Sequence, residues 1–517
     1  MTTPIERTER AVRHRPQLAE FATDPVAVTA ATSFALCAVV AIFDVRIGFN
    51  TLSIKDEGYL WYGAQRVLAG EWPVLDFRSY DPGRYLWSAA WQRFLGDGIV
   101  ALRTAAWIFG AVGLTAGLLA LRRVIRTIPG LVAAAVVLIT WMVPRHKRFD
   151  CVLPMAAVLG AVRLIERRDP ASHIVAGIVA GLIAFFGRNH GLYLAIGMTA
   201  IVWFIAPPER GAFRRGFAQL TAGALIGYLP MFLLWVVFPR YLPAFLALNA
   251  DVVARGTNAH LPIPWPWLGG NPKSVVLGTL LVVAPLTYGI TAVHLLRRRR
   301  SLHGPYDALR LATTAIGFPY LHHAFDRAEP LHFFQASAPF LLLIITYAVT
   351  AWHRRERRVV AIAVLGALVA VTLFLPLTRW ELYRYVVSPE SFRTATVGTD
   401  ELMVNDRAVK TLRLFERVEE IAGGDAVLVT TNYPSAYAIM QKRAPVYDTY
   451  MFWKRTKRQQ AEILRQLESN GARWALVMSE RKLRRTNRLL YQHLNNNWER
   501  VAIEGLPVRG ALFQDPS

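Results

Sequence analysis

The sequence predicts a polytopic α-helical membrane protein with a small α/β domain at its C-terminal end. Hydrophobic residues make up 54% of the 517 residues. They occur in blocks of about 17 to 22 residues, the length that crosses a hydrocarbon core of about 30 Å. A soluble protein would instead be expected to have amphipathic helices around a buried core. Beyond residue 377 the long apolar blocks end and the composition changes sharply.

About eleven membrane crossings are predicted, because each apolar block is close to the spanning length. The blocks lie at residues 26–44, 99–120, 128–143, 151–165, 172–187, 191–206, 217–238, 275–294, 307–322, 334–351 and 359–377. The loop of residues 45–97 is too long for a simple connector between two of these blocks.

Positive charge predicts the orientation of the chain. There are 59 lysines and arginines against 36 aspartates and glutamates, a formal net charge of +23. Basic loops stay in the cytoplasm, and a cytoplasmic N-terminal tail of residues 1–25 makes every predicted inner loop basic. These loops contain Arg122, Arg123 and Arg126; Arg163, Arg167 and Arg168; Arg210, Arg214 and Arg215; Arg297 to Arg300; and Arg354, Arg355, Arg357 and Arg358. Arginines beside apolar blocks favour anionic membrane lipid over nucleic acid as their partner.

The odd number of crossings predicts that residues 378–517 lie outside the cytoplasm, with residues 26–377 forming the transmembrane region. Short β-like runs alternate here with polar helical stretches, which is typical of a small α/β domain. The β-like runs are 426–430 and 474–478, and the helical stretches are 455–468 and 482–494.

Neither a disulfide framework nor a bound cofactor is predicted. Cys37 and Cys151 both lie in or beside apolar segments, where a disulfide or a cysteine metal site is not supported. Imidazole and carboxylate groups can bind metals, so a divalent metal stays an alternative at one cluster whose spacing matches no closed zinc site. The cluster consists of His322, His323, Asp326, Glu329 and His332.

The first long loop combines acidic and aromatic residues. Asp56 and Glu57 directly precede a predicted helix over residues 59–68, and Gly70 can end that helix. Carboxylates are favoured at helix N-termini, so Asp56 is either a helix cap or a functional group. Later in the loop, Pro82-Gly83 predicts a turn before another helix.

Residues 53–87 resemble the first extracytoplasmic loop of the GT-C superfamily of membrane glycosyltransferases. The shared features are an acidic pair after the first span, a short helix ending at a glycine, an aromatic Asp76-Phe77 and the sequence Tyr80-Asp81-Pro82-Gly83. This superfamily uses polyprenyl-phosphate-linked sugars and includes the protein O-mannosyltransferases and the lipid A aminoarabinose transferases. The first aspartate of the family's loop is the catalytic base, a role that the resemblance assigns to Asp56, with Glu57 as its acidic neighbour.

Two further comparisons with the superfamily refine the prediction. Arg327-x-Glu329-x-x-His332 is similar to an Arg-x-Asp-x-x-His pattern of related bacterial transferases, with glutamate in place of aspartate. The aminoarabinose transferases carry a Lys-Pro-Pro motif in the first loop, where this chain has Asp81-Pro82-Gly83. That difference argues against aminoarabinose as the sugar.

The chemistry of the reaction predicts where positive charge is needed. An inverting displacement needs a carboxylate base, and a phosphate leaving group needs cations rather than a general acid. The predicted outer turn PRHKRFD, residues 144–150, breaks the positive-inside rule and supplies Arg145, Lys147 and Arg148. A solvated or lipid-headgroup-binding turn is the alternative. The further candidates for substrate binding are Arg84, Arg188, Arg327, Glu329 and His332.

Taken together, the residues and the resemblance predict an inverting glycosyltransferase of a bacterial inner membrane, which moves a sugar from a polyprenyl-phosphate donor to a glycan, lipid or protein acceptor outside the cytoplasm. A transporter or lipid flippase is one alternative, but it would need polar residues in mid-span or internal repeats. The other alternative is a non-catalytic cell-envelope assembly protein whose α/β domain binds a partner.

Overall fold

The computed structural model describes residues 24–51, 53–143, 145–255, 261–299 and 304–516. The predicted N-terminal tail therefore lies, apart from its last two residues, outside the described part of the chain. Arg300, from one predicted inner loop, also lies outside it.

Helices dominate the first three quarters of the described chain. They are α1 (Pro25–Asp44), α2 (Gly58–Leu68), α3 (Pro82–Leu95), α4 (Ile99–Leu121), α5 (Ile128–Thr140), α6 (Arg148–Arg167), α7 (Pro170–Phe186), α8 (Arg188–Ile205), α9 (Ala212–Gly227), α10 (Leu229–Val237), α11 (Tyr241–Arg255), α12 (Pro272–Arg297), α13 (Pro305–Asp326), α14 (Pro330–Ala336), α15 (Ala338–Trp352), α16 (Arg358–Phe374) and α17 (Glu381–Val387).

Each of the predicted apolar blocks coincides with a helix or a bent pair of helices. The block 217–238 forms α9 and α10, bent by 51°, and the block 334–351 forms α14 and α15, bent by 66°. By length and apolar composition, four helices of the described chain qualify as membrane spans, or up to seven if each bent pair counts as one. The count is below eleven because helices such as α8 begin with polar residues, and others such as α7 are short.

The C-terminal region folds as the predicted mixture of strands and helices. Strands β3 and β4 pair in parallel, and β6 and β5 extend the sheet antiparallel in the order β3-β4-β6-β5, while β1 and β2 form a separate antiparallel pair. The elements are β1 (Phe392–Val397), β2 (Asp400–Asn405), α18 (Asp406–Ala422), β3 (Ala426–Thr430), α19 (Pro434–Ile439), α20 (Lys457–Ser469), β4 (Ala472–Val477), α21 (Glu480–Thr486), α22 (Arg488–Asn497), β5 (Glu499–Val501) and β6 (Ala511–Gln514).

The first loop and the C-terminal region share one hydrophobic core. Trp61 of α2 is fully buried in the same cluster as Leu412 of α18 and Tyr437 of α19. At the closest approach, a Cβ atom on Gly58 would lie 2.5 Å from the Cβ of Ser435, so only glycine fits there. The packing brings residues of the C-terminal sheet region against the acidic turn of the first loop. The predicted division of the chain at residue 378 stays a prediction.

Candidate active site

Asp56 lies on a wide helical turn, Ser53–Glu57, that leads into α2. Asn50 closes the start of the turn, since its carbonyl accepts from the Ile54 amide at 2.9 Å and its side chain accepts from the Ser53 amide at 3.2 Å. The Asp56 carboxylate accepts a hydrogen bond from the Tyr450 hydroxyl at 2.5 Å. Among the described residues, α2 has no side-chain cap, so the carboxylate faces the C-terminal region instead of closing the helix end.

Glu57, the next residue, is committed to a buried ion pair. Arg103 of α4 donates to both of its carboxylate oxygens at 2.8 Å and also to the carbonyls of Val45 and Gly48. Burial alone would raise the pKa of Glu57, but the Arg103 charge and its hydrogen bonds outweigh burial and lower the pKa to about 2. Glu57 is therefore an ionised anchor that fixes the turn carrying Asp56.

The structure pairs two of the three predicted phosphate ligands in the turn 145–148 with one carboxylate, that of Asp44 at the end of α1. Arg145 donates to Asp44 at 2.8 Å and to the carbonyls of Gly48 and Ile47. Arg148 is 1% exposed, lies 3.4 Å from Asp44 and holds its guanidinium carbon 3.7 Å from the Trp107 ring. The alternative of a solvated turn is wrong for these two arginines. Their contact with a donor phosphate stays a prediction.

Lys147 differs from its two neighbours because it reaches an aromatic wall near Asp56. Its amine lies 4.1 Å from the centre of the Tyr80 ring and 3.7 Å from the Asp150 carboxylate. The Tyr80 ring contacts Tyr59 at 5.1 Å between ring centres, and Tyr59 contacts Tyr450 at 5.3 Å. A row of tyrosines thus connects the Lys147 amine to the hydroxyl that binds Asp56.

Asp150 is the centre of a buried polar network at the start of α6. Arg84 donates to its carboxylate at 2.5 Å, and His190 contacts the same oxygen at 2.6 Å while its other ring nitrogen lies 2.8 Å from the Tyr320 hydroxyl. Asp150 is 1% exposed. Buried charges in a membrane protein are expected to be paired in this way. The predicted ligand Arg84 therefore acts on Asp150 in this structure.

The other predicted binding residues form two separate ion-paired groups. Arg188 lies 3.2 Å from Asp81. Arg327 lies 3.2 Å from Glu329, which also contacts His332 at 2.8 Å, and Arg327 and Glu329 keep about a third of their side chains exposed. Within the described ranges, no three histidine, cysteine, aspartate or glutamate side chains are placed to hold a metal ion.

A small polar cavity of about 90 Å³ lies behind the turn that carries Asp56. Glu57 and Arg145 face it from the first loop and the 145–148 turn. Sequence reasoning missed the groups on its other side, where Arg384 lies 2.9 Å from Glu381 in α17. An aromatic-basic run just after the last apolar block, TRWELYR, is the signal that could have indicated them.

The C-terminal region contributes site residues that the sequence analysis did not select. The Lys482 amine of α21 lies 3.3 Å from the Asn432 side-chain oxygen and 3.7 Å from the Phe452 ring centre. Burial, together with the nearby charges of Lys55 and Arg485, lowers the pKa of Lys482 to about 8, and the Asp56 charge opposes the shift. The aromatic run YDTYMFW, residues 447–453, was the available signal.

Comparison with known proteins identifies the fold. No protein-family model matches the sequence, and no curated protein matches it. Among solved structures, ArnT from Cupriavidus metallidurans bound to undecaprenyl phosphate is similar with a TM-score of 0.54 and 14% identity, over 93% of this chain and 97% of that chain. The apo state of the same ArnT gives 0.51 and 14%, over 93% and 96%. The prediction of a GT-C type membrane fold with a small C-terminal α/β region is confirmed.

Proposed function

We propose that this protein is an inverting glycosyltransferase that moves a sugar from a polyprenyl-phosphate donor to an acceptor hydroxyl outside the cytoplasm. The observation that carries the proposal is the placement of Asp56. It is a half-buried carboxylate on a helical turn, bonded to Tyr450 at one end of a row of tyrosines whose other end lies against the Lys147 amine. The fold shared with ArnT, which one structure shows bound to undecaprenyl phosphate, supports the class of donor.

The proposed reaction follows from this arrangement. Asp56 accepts the proton of the acceptor hydroxyl, and the oxygen attacks the anomeric carbon from the face opposite the phosphate. As the new bond forms, the bond from the anomeric carbon to the phosphate oxygen breaks with inversion, and polyprenyl phosphate leaves as an anion. The Lys147 amine stabilises the charge that develops on that phosphate. Asp150, held by Arg84 and His190, positions the amine.

Two neighbouring residues hold the Asp56 carboxylate in position to act as the base. Glu57, tied to Arg103, holds the turn so that the Asp56 carboxylate cannot swing into the bundle. Burial raises the pKa of Tyr450, and the Asp56 charge adds to the effect. The Tyr450 hydroxyl therefore stays protonated at neutral pH and donates a hydrogen bond without competing as a base.

The remaining predicted ligands act at the edge of the site in this proposal. Arg188, with Asp81, and the partly exposed group of Arg327, Glu329 and His332 bind donor or acceptor hydroxyl and phosphate oxygens. Charged groups at helix ends that keep part of their surface exposed can accept a ligand without full desolvation. The N-terminus lies in the cytoplasm and the C-terminal region outside it, so that the site opens where polyprenyl-phosphate sugars are used.

Lipid analysis tests the proposal directly. Extracts of a strain lacking the protein are expected to accumulate a polyprenyl-phosphate sugar in mass spectrometry, because its consumer is gone. The wild-type gene should remove that lipid, and Asp56→Asn should not. Asp76→Asn is the matched control, because Asp76 is an exposed aspartate of the same loop that accepts from the Trp72 amide.

Two results would count against this function. If no polyprenyl-phosphate sugar accumulates, the donor class is wrong. If Asp56→Asn removes the accumulated lipid as well as the wild type does, Asp56 is not the base.

A further inference from the structure

Four cationic side chains collect on the C-terminal side of Asp56. Lys55 comes from the first loop, Arg407 from the start of α18, and Lys482 and Arg485 from α21. The two lysine amines lie against the adjacent residues Tyr433 and Asn432. Arg485 lowers the pKa of Lys482, and Arg407 lowers the pKa of Lys55. Here these four residues are called the outer cationic group.

The outer cationic group lacks carboxylate partners. Within the described part of the chain, none of its members lies within ion-pair distance of an aspartate or glutamate, and Asp56 is the acidic group that influences both lysines. By contrast, Arg84, Lys147 and Arg327 each have a carboxylate within 4 Å.

The two lysines are partly desolvated as well as unpaired. The Lys482 amine lies against the Phe452 ring and the Asn432 side chain, and the Lys55 amine lies 5.3 Å from the Tyr433 ring centre. Burial is the largest cause of the lowered pKa of each lysine. Holding unpaired cations in such surroundings is unfavourable, and a bound anion would offset that cost.

The position of the outer cationic group relative to Lys147 indicates which substrate carries the anion. Lys147 approaches Asp56 from the membrane helices, through Tyr80, whereas Lys482 approaches from the sheet region. The donor phosphate is attached to a membrane-embedded polyprenyl chain and so belongs on the Lys147 side. In an inverting displacement the acceptor attacks from the opposite face.

From this geometry we propose that Lys55 and Lys482 form an anion-binding subsite for a phosphate or carboxylate group of the acceptor, with Arg407 and Arg485 at its rim. The subsite places the acceptor hydroxyl next to Asp56 by holding the neighbouring anionic group. The identification of this anion as the acceptor's depends on the proposed glycosyl transfer, but the presence of an anion-binding subsite does not.

Binding measurements on the purified full-length protein test the subsite without any transfer activity. Inorganic phosphate is the probe for the outer cationic group, and farnesyl phosphate, a short lipid phosphate, is the probe for the donor side. In isothermal titration calorimetry at pH 7, Lys482→Gln and Lys55→Gln should each weaken phosphate binding about tenfold. Lys482→Arg should retain binding, because it keeps the charge. Lys410→Gln is the matched control, an exposed lysine of α18.

The farnesyl phosphate measurements separate the two possible sources of the anion. Lys147→Gln should weaken farnesyl phosphate binding, and Lys482→Gln should leave it unchanged. If Lys482→Gln weakens farnesyl phosphate as much as Lys147→Gln does, the outer cationic group binds the donor and the acceptor assignment is overturned. If inorganic phosphate binds equally to the wild type and to both glutamine variants, there is no subsite.

The same measurements remain informative if the proposed function fails. A strain that accumulates no polyprenyl-phosphate sugar would remove the glycosyltransferase assignment. Loss of phosphate binding in Lys482→Gln would then still establish an anion site, and its assignment to an acceptor would be wrong.

Discussion

Two basic groups flank Asp56, and they differ in what neutralises them. In the turn 145–148, Arg145 and Arg148 share Asp44, and Lys147 lies close to Asp150. In the outer cationic group, no carboxylate of the described chain is within ion-pair distance of the lysines. A count of charges in the sequence makes the first group look like the ligand site. The structure shows that the availability of a charged side chain to a ligand depends on the partners that already neutralise it.

This difference predicts different consequences of mutation. Removing one member of a buried ion pair leaves the other charge without a partner, typically at a cost of about 3–5 kcal/mol. Removing an unpaired, partly desolvated cation leaves no such charge behind. Changes to the ion pairs of Arg145 and Arg148 should therefore act mainly on folding, and changes in the outer cationic group should act mainly on ligand binding.

The largest effect is expected from Asp44→Asn. The variant should lose about 3–5 kcal/mol of folding free energy, because Arg145 and Arg148 lose the carboxylate that they share. Chemical denaturation in detergent measures the loss. In the double variant with Arg148→Met, the two losses should be far from additive. A stably folded Arg148→Met protein with a raised donor KM would show instead that Arg148 is a ligand and that the two basic groups are alike.

The next largest effect is expected from Asp56→Asn. Its kcat should fall about a hundredfold or more, because asparagine cannot accept a proton at neutral pH. Donor binding and thermal stability should change little, since asparagine can still accept the Tyr450 hydrogen bond. Steady-state kinetics together with thermal melting check both halves. Near-normal turnover would show that another residue is the base. The two basic groups would then not lie on either side of the catalytic residue.

Much of the fold could be predicted from the sequence because local patterns of apolar and polar residues indicate membrane helices and strands. The apolar blocks became helices, and the runs 426–430 and 474–478 became β3 and most of β4. The number of qualifying spans is lower than predicted, because polar residues or bends interrupt several of the helices that the apolar blocks form. The start of α8, with Arg188 and His190, is an example.

The site was less predictable because its contacts are long-range. Asp56 was selected from its loop, but the Tyr450 hydroxyl that binds it is 394 residues away in sequence. In the sequence, Asp44 is the last residue of the apolar block 26–44. An acidic residue at a membrane edge indicates that a buried partner of opposite charge lies nearby. Lys482 belongs to no motif. Only packing of the C-terminal region on the first loop brings it to Asp56.

A smaller effect is expected from Lys147→Met. The donor KM should rise about tenfold, the lower end of what a charge-assisted contact contributes, because the Lys147 amine is partly exposed and solvent screens it. Initial rates at varied donor concentration measure the change, and Lys147→Arg should recover most of it. An unchanged KM in Lys147→Met would leave the whole turn without a ligand role. The turn would then have only a structural role, and ligand binding would belong to the outer cationic group alone.

The smallest effect is a pH dependence of anion binding at the outer cationic group. The pKa of Lys482 is lowered from 10.5 to about 8 by burial and by the charges of Lys55 and Arg485, while Asp56 opposes the shift and Tyr450 stays neutral. Because the folded pKa is below the ordinary value, the contribution of Lys482 to the stability of the free protein is lowest below pH 8 and rises between about pH 8 and 10.5. A bound anion favours the protonated amine, so affinity should be full below pH 8 and fall by several-fold between pH 8 and 9.

Sulfate is the suitable probe, since its own charge is constant over this range. Calorimetric titration at several pH values should show the fall in the wild type and its absence in Lys482→Arg, because a guanidinium stays charged throughout. If Lys482→Arg shows the same fall as the wild type, another group titrates in the subsite and Lys482 does not govern its affinity.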